Sequence, residues 1–497
     1  MSGHITTVAG VAVDTRHWIG GRRTASAGTF SDVSPIDGAP LGEVARGTPA
    51  DATAAVAAAK EAFPGWAATP RAERARILRA IADGVDKRVE ELAVVETTDN
   101  GALLRSHRRG VMPRVAHNFR FFADHLLSLG HEDFTTHAGG GAHENHVSWD
   151  PAGPCVLITP WNAPLLLATW KVAPALAAGN TVVLKPAEWS PLTASLLADI
   201  AAGAGLPPGV LNVVQGYGAE IGDTLTADPD VRRISFTGSV RTGRRVAASA
   251  AAHLTPLSLE LGGKSPLLVF ADADLDLAAD LAVEQYDNAG QVCLAATRIL
   301  VEEAVAEEFT RRLTEKAARL RQGDPRDEGT DIGPTIHPRQ LARIDGLVRR
   351  ALVSGARAVI GGHRHAERYY APTLLTGVAQ DSEIVQEEIF GPVLTLQTFT
   401  GATGAQAEAE AVRLANDTRF GLAATLVTGD PERARRVTAQ LVAGTVWVNC
   451  FYVRDLRAPF GGSRHSGVGR EGGTWSFDFY CDLKTTVTGP KGWQDHG

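Results

Sequence analysis

Residues 288–298 read Asn-Ala-Gly-Gln-Val-Cys-Leu-Ala-Ala-Thr-Arg, which places Cys293 just after Gly290 and just before Ala295 and Ala296. A thiol with little bulk around it, at what reads as the start of a helix, suits nucleophilic attack. The thiolate is the reactive form, and a helix N-terminus lowers the thiol pKa through its N–H groups and positive dipole. A buried free cysteine also serves as inert packing, so chemistry at Cys293 requires partners elsewhere in the chain.

Four other stretches supply candidates. Thr159-Pro160-Trp161-Asn162-Ala163-Pro164 is a turn fixed by two prolines and an aromatic. The Asn162 amide could donate to an oxyanion or satisfy its own turn backbone. Lys185-Pro186-Ala187-Glu188 could hold a nucleotide ribose, the carboxylate accepting from its hydroxyls and repelling a 2′-phosphate, or could be a solvated pair. Gly238-Ser239-Val240-Arg241-Thr242-Gly243 is a Gly-x-x-x-x-Gly turn opening a helix, where N–H groups could hold a pyrophosphate; it is neither Gly-x-Gly-x-x-Gly nor a Walker A motif. Glu260 lies in Leu-Glu-Leu-Gly-Gly-Lys, where partial burial would raise its pKa and suit a general base, unless Lys264 pairs with it.

The elements around these residues follow from pattern and punctuation. Residues 17–21 and 34–38 look like hairpin turns. Thr48-Pro49 and Thr69-Pro70 each read as an N-cap with a first-turn proline, opening helices over 51–63 and 71–85. Further helices are expected over 89–98 and 113–127. Polar, glycine-rich 135–146 breaks the helical pattern before a short strand at 146–149. From residue 153 strands at 155–159, 181–184, 210–214 and 233–236 alternate with helices at 170–178, 193–204 and 218–227. Their unbroken apolar runs fit a parallel sheet covered on both faces, and ligands on such sheets bind at the carboxyl ends of strands. A second α/β pattern follows, with strands at 267–270, 297–301, 358–360, 393–399 and 445–448. A strand-like tail lies at 484–488.

The chain has 497 residues, enough for two or three domains. Its net charge of −7, with both signs interleaved, gives no nucleic-acid or membrane surface. Residues 1–15 lack a secretory pattern, and no apolar run is long enough to span a bilayer. Cys155, Cys293, Cys450 and Cys481 have neither zinc spacing nor a disulfide framework, so a reducing cytoplasm and no metal are expected.

Taken in order, Asn162, the 185–188 turn, the 238–243 turn, Glu260 and Cys293 have the spacing of a known family. Together with Glu387-Glu388-Ile389-Phe390-Gly391-Pro392, Pro459-Phe460-Gly461-Gly462, Ser466-Gly467 and Gly469-Arg470-Glu471, the chain resembles the aldehyde dehydrogenase superfamily over essentially its whole length. Residues 113–123, 450–457 and 472–480 are similar to the aminomuconate, 2-hydroxymuconate and 5-carboxymethyl-2-hydroxymuconate semialdehyde dehydrogenase branch. Arg464 stands where the family usually has lysine.

The resemblance implies an α/β fold with a Rossmann-like NAD domain (1–128 and 150–261), an α/β catalytic domain (262–460) and a small β oligomerisation arm (129–149 and 478–497). It implies Cys293 as nucleophile, Asn162 and the Cys293 N–H as oxyanion donors, and Glu260 as the base activating water. Thr159, Trp161, Lys185, Glu188, Gly218, Gly238, Ser239, Leu261, Glu388 and Phe390 would hold NAD, with NADP disfavoured by Glu188. Lys171 and Glu471 would form part of a proton path. Arg114 and Arg454, then Arg120 and Arg457, are the candidates for anchoring a carboxylate on the aldehyde substrate. A homo-oligomer, dimer or tetramer, is expected. The rivals are an aliphatic or betaine-type aldehyde dehydrogenase and a non-catalytic NAD-binding protein.

Overall fold

The computed structural model describes residues 4–138 and 141–490. Two open sheets dominate it. The first has eight strands in the order Gly467–Val468, Leu257–Glu260, Arg233–Thr237, Pro154–Ile158, Thr181–Lys185, Leu211–Val213, His17–Ile19 and Arg22–Thr24. The five strands from Leu257–Glu260 to Leu211–Val213 are parallel, and antiparallel pieces close both ends. Their side chains are almost entirely buried, as the unalternating apolar runs predict. Leu257–Glu260 is a strand the sequence reading does not resolve; its run is short and shares its apolar signal with the glycine turn that follows.

After the Pro154–Ile158 strand the chain winds to one side of it, then returns to the other at Arg233–Thr237. The carboxyl ends of these two strands flank the point where strand order reverses, which is where such sheets open a ligand crevice. Register aligns the functional ends. Lys185 pairs with Ile158, Ile158 with Phe236, and Thr237 with Glu260, so the 185–188, 159–163 and 238–243 turns and Glu260 leave the sheet on one edge.

The second sheet has seven strands in the order Arg357–Ile360, Thr373–Thr376, Val393–Phe399, Arg298–Glu302, Pro266–Val269, Ala423–Val427 and Thr445–Val448, parallel except for the first. A separate antiparallel sheet joins Glu132–Ala138, Gly141–Pro151 and Cys481–Thr488, and the last pairs with Gly141–Pro151 over eight residues. The polar segment expected to break the helical pattern at 135–146 instead pairs strand with strand among its described residues, Thr135 with Glu144 and Ala138 with Gly141. The side chains of Glu132–Ala138 are exposed, so no apolar alternation marks that strand. Residues 491–497 of the expected arm lie outside the described residues. The stretch 461–477, unassigned in the sequence reading, contributes Gly467–Val468 to the first sheet.

The two expected caps behave differently. Thr48 forms a reciprocal capping box with Asp51 at the start of Pro49–Ala67, an arrangement worth about 1 kcal/mol. Thr69 instead donates to the Gly65 carbonyl, and Arg71–Lys87 begins after Pro70 with no side-chain cap. Among the described residues no helix is long and apolar enough to cross a membrane.

Candidate active site

The loop bearing Cys293 is not a helix start, contrary to expectation. It follows Glu284–Gly290, where a 3-10 turn breaks off at extended Asp287, and runs through turns into the Arg298–Glu302 strand. Asn288, Ala289 and Gly290 take positive φ in succession, at 49°, 55° and 68°. A left-handed alanine costs on the order of 1 kcal/mol and persists only where surroundings hold it. Here a Cβ on Gly290 would lie 2.1 Å from the Gly391 carbonyl oxygen, so only glycine fits.

Without a helix N-terminus the thiol is not lowered. Burial, then the charges of Glu388 and Glu260, push Cys293 up to about 12, opposed by Arg454 and its own backbone N–H. The sign has a direct consequence. A raised thiol pKa leaves thiolate a small minority at neutral pH, growing about tenfold with each pH unit. Alkylation of Cys293 by iodoacetamide in the ligand-free protein is therefore expected to accelerate about tenfold per unit from pH 7 to 9, without a plateau. Mass spectrometry of the Cys293 peptide measures it, and a rate that levels off near pH 8 would show an activated thiolate instead.

Asn162 lies against this loop. Its Nδ2 donates to the Gln291 carbonyl at 2.9 Å, and the Asn288 amide donates back to the Asn162 carbonyl at 3.0 Å. The side chain therefore does not satisfy its own turn. It bridges to the nucleophile loop, and an amide carries a second N–H that this contact does not use. Gln291 is the tie sequence reasoning passes over: its Nε2 donates to Asn288 and its Oε1 accepts from the Ile336 N–H.

Glu260 is fully buried, and neither carboxylate oxygen has a hydrogen-bond partner. Burial and then the charge of Glu471 raise it well above the ordinary value, against Lys171, Arg454 and Arg470. Lys264 does not pair with it. That ammonium is itself buried without a hydrogen-bond partner and is pulled down to about 7, first by burial. Behind Glu260 lies a closed polar network. Lys171 Nζ contacts Glu471 Oε1 at 2.7 Å and donates to Ser235, while Ser235 and Ser258 hydroxyls donate to the same Glu471 oxygen. Burial would raise Glu471, but Lys171 and these donors hold it below the usual range. Ser235 and Ser258 sit on central strands, so position alone gave no hint of them.

The crevice edge fits a dinucleotide. Buried Lys185 meets Glu188 at 3.2 Å, and Gly218 stands beside this pair, where an added Cβ would come 3.8 Å from Lys185 Nζ. Ser239 caps the Val240–Ala250 helix by accepting the Thr242 N–H, leaving Gly238 and the helix start open to an anion. Gly243 approaches Leu261 so closely that a Cβ would meet its Cδ2 at 2.6 Å, which brings helix and strand together. Thr159 is buried, its N–H donating to the Lys185 carbonyl. Trp161 contacts Phe390 edge-on at 5.1 Å, and Trp189, stacked on His337 at 4.5 Å, extends this aromatic wall. Glu388 accepts from the Gly263 N–H at 3.1 Å and is raised to about 7 by burial. Gly262 and Gly263 leave no room for side chains: a Cβ would meet Glu388 Oε2 at 2.2 Å and the Cys293 carbonyl at 2.7 Å respectively.

Of the four arginines, the structure brings two to the site. Arg454 lies over the rings of Phe460 at 3.7 Å and Trp170 at 4.9 Å, and its charge reaches Glu260, Cys293 and Arg114. Burial lowers the pKa of both Arg454 and Arg114. Among the described residues neither guanidinium has an ion-pair partner within 4 Å. Arg120 and Arg457 do. Arg120 binds Asp83 and Asp86 on the surface, and exposed Arg457 chelates Asp455 two residues away. Their local acidic partners, set by helix packing and a tight turn, remove them from the pocket.

Comparison with known proteins shows the family. The model "Aldehyde dehydrogenase family" matches residues 22–486. The chain is similar to 5-carboxymethyl-2-hydroxymuconate semialdehyde dehydrogenase of Escherichia coli, 42% identical over 93% of this chain and 98% of that protein. It is similar to 2-hydroxymuconic semialdehyde dehydrogenase of a Pseudomonas species, 43% identical over 95% and 98%. Betaine aldehyde dehydrogenase of Staphylococcus aureus, solved with NAD+, superposes with a TM-score of 0.93 at 35% identity, covering 97% of each chain.

Proposed function

The chain belongs to the aldehyde dehydrogenase family, and from that premise we propose that it oxidises a carboxylate-bearing, muconate-type semialdehyde to the acid with NAD. Cys293 attacks the aldehyde carbon as its thiolate, forming a C–S bond and an alkoxide. The free N–H of Asn162 and the Cys293 backbone N–H hold that charge. A nicotinamide dinucleotide held at the crevice edge would supply the hydride acceptor needed to take the thiohemiacetal to a thioester. Glu260 then takes a proton from the attacking water, and the thiolate of Cys293 leaves as the acid forms. The Glu471–Lys171–Ser235 network, whose charges Glu260 feels, would take that proton on.

Lys185 and Glu188 would hold the adenosine ribose, with the Glu188 carboxylate repelling a 2′-phosphate and so favouring NAD over NADP. The Ser239 helix start would hold the pyrophosphate. Glu388 would hold the nicotinamide ribose beside Phe390 and Trp161.

One observation carries the substrate class: partly buried Arg454 lies where its charge reaches Cys293 and Glu260, Arg114 lies close enough for its charge to reach Arg454, and among the described residues neither has an ion-pair partner within 4 Å. A desolvated guanidinium is costly when unpaired, and a carboxylate on the substrate would relieve it bidentately. The same charges disfavour a cationic aldehyde such as betaine aldehyde. NADH absorbance, followed with muconate semialdehydes, succinate semialdehyde, betaine aldehyde and hexanal, tests the reading. Preference for the acidic semialdehydes is expected. Preference for betaine aldehyde or hexanal would replace the substrate class, and no NADH from any aldehyde would favour a non-catalytic NAD-binding protein.

The three-stranded arm supports a homo-oligomer. Glu132–Ala138 and Cys481–Thr488 are its outer strands, and they expose Phe134, Leu483 and Val487. Unpaired edges with apolar side chains favour pairing with another chain. Replacing Leu483 and Val487 together by lysine is expected to shift the protein to monomer in light scattering, whereas an unchanged mass would remove the arm from the assembly.

A further inference from the structure

Two helices start beside the reaction centre, and one carboxylate reaches both. Pro164–Ala178 begins immediately after the Asn162 turn, and Leu192–Gly203 begins after the Lys185–Glu188 turn. Neither has a side-chain cap of its own. Glu96, on the Val89–Asn100 helix, is fully buried, and its Oε2 accepts the Leu165 N–H at 3.2 Å and the Thr193 hydroxyl at 2.8 Å. Asp99, one turn along, accepts the Leu192 N–H at 3.0 Å.

A negative charge at a helix N-terminus is favourable for both the unpaired N–H groups and the macrodipole. Here the arrangement also costs desolvation, since the other oxygen of Glu96 has no hydrogen-bond partner. Among the described residues its one ion-pair contact is with His107 Nε2, 3.7 Å away. Burial holds His107 down to about 4, so it stays neutral, and its Nδ1 is engaged by the Thr97 hydroxyl. A carboxylate kept in such a place for capping alone could be replaced by Ser, Thr or Asp at either helix start. What a single buried acceptor adds is a fixed distance between the two starts.

We propose that Glu96 is a positioning residue for Asn162, pinning the helix start that follows the oxyanion turn to the helix start that follows the adenosine-ribose turn. From Leu165 the constraint passes through three peptide units to Asn162, whose remaining ties are Gln291 and Asn288 on the nucleophile loop. With Glu96 in place, the Asn162 amide is held from its own helix as well as from the Cys293 loop. Without it, the turn can slide along the Cys293 loop, and displacement by an ångström is enough to cost about 100-fold in rate.

The inference rests on the dehydrogenase reading above, and a double-mutant cycle separates the two. Glu96→Ala is expected to lower kcat about tenfold, while KM for NAD changes less than about twofold. In an Asn162→Ala background the same substitution is expected to cost less than about twofold more, because the group it positions is gone. Glu96→Gln is expected to recover most of the loss, since its amide oxygen accepts from the same two donors. Should Glu96→Ala fail to fold, Thr193→Val, which removes one donor, is put through the same cycle with the same expected non-additivity. Equal losses in both backgrounds, or a lowered Tm with kcat intact, would make Glu96 a structural cap and overturn the proposal. An unsubstituted protein that forms no NADH from any aldehyde would instead overturn the dehydrogenase reading.

Discussion

Glu260→Gln is expected to release a stoichiometric burst of NADH and then turn over about 100- to 10,000-fold more slowly than the parent, the range lost when a general base is removed. The burst should survive because Glu260 does not help to ionise Cys293. Whatever fraction of Glu260 is charged raises the Cys293 thiol, so its removal makes thiolate no harder to form, and acylation does not suffer. Hydrolysis does, since among the described residues no other carboxylate combines this burial with two oxygens free of hydrogen bonds. The same environment fixes the pH dependence. Burial and the Glu471 charge raise the Glu260 pKa, so the ionised form that acts as base is depleted at neutral pH and recovers as pH rises. Steady-state kcat in the parent should therefore climb from neutral to alkaline pH, while the burst amplitude stays constant. Stopped-flow NADH absorbance reads both phases, and loss of the burst in Glu260→Gln would assign the residue to thiol activation.

The parts of this site that sequence made legible are those whose chemistry depends on residue type. Cys293, Glu260 and Asn162 sit in short runs of glycine, proline and small residues, which mark turns directly, and their order along the chain repeats a family pattern. The sheet edge that aligns them was legible in outline too, because strands buried on both faces read as continuous apolar runs. What escaped was set by distant contacts. The loop of Cys293 scans as a helix start, but its three left-handed residues are imposed by the Gly391 backbone and the Gln291 tie, neither of which local propensity records. The thiol consequently moves the opposite way from the one a helix dipole would dictate. The capping role of Thr69 failed because a hydroxyl can turn back onto its preceding helix. The Glu132–Ala138 strand of the arm escaped because a strand exposed on both faces has no period in hydropathy. Arg114 and Arg454 could be told from Arg120 and Arg457 only by seeing which already had a carboxylate.

Arg454→Met should lower kcat/KM for a carboxylate-bearing semialdehyde by about 30- to 1,000-fold, mostly through KM. That corresponds to the ~2–4 kcal/mol lost when one partner of a buried charge pair is removed. Two effects are combined in this residue, and the comparison substrate divides them. Arg454 also lowers Glu260 and Cys293, so without it the thiol rises further and every aldehyde reacts somewhat more slowly at neutral pH. Hexanal, with no carboxylate, reports that electrostatic part alone, and raising the pH should restore it. The remaining loss, specific to the acidic substrate and insensitive to pH, measures the anchor. Methionine keeps the apolar stem packed against Trp170 and Phe460, so the pocket wall is preserved while the guanidinium is lost. If the ratio of kcat/KM for acidic semialdehyde to that for hexanal does not change, Arg454 acts only on the ionisation of Cys293 and Glu260. The carboxylate would then have to be bound by Arg114, the other partly buried guanidinium in this pocket, for which Arg114→Met gives the same ratio test.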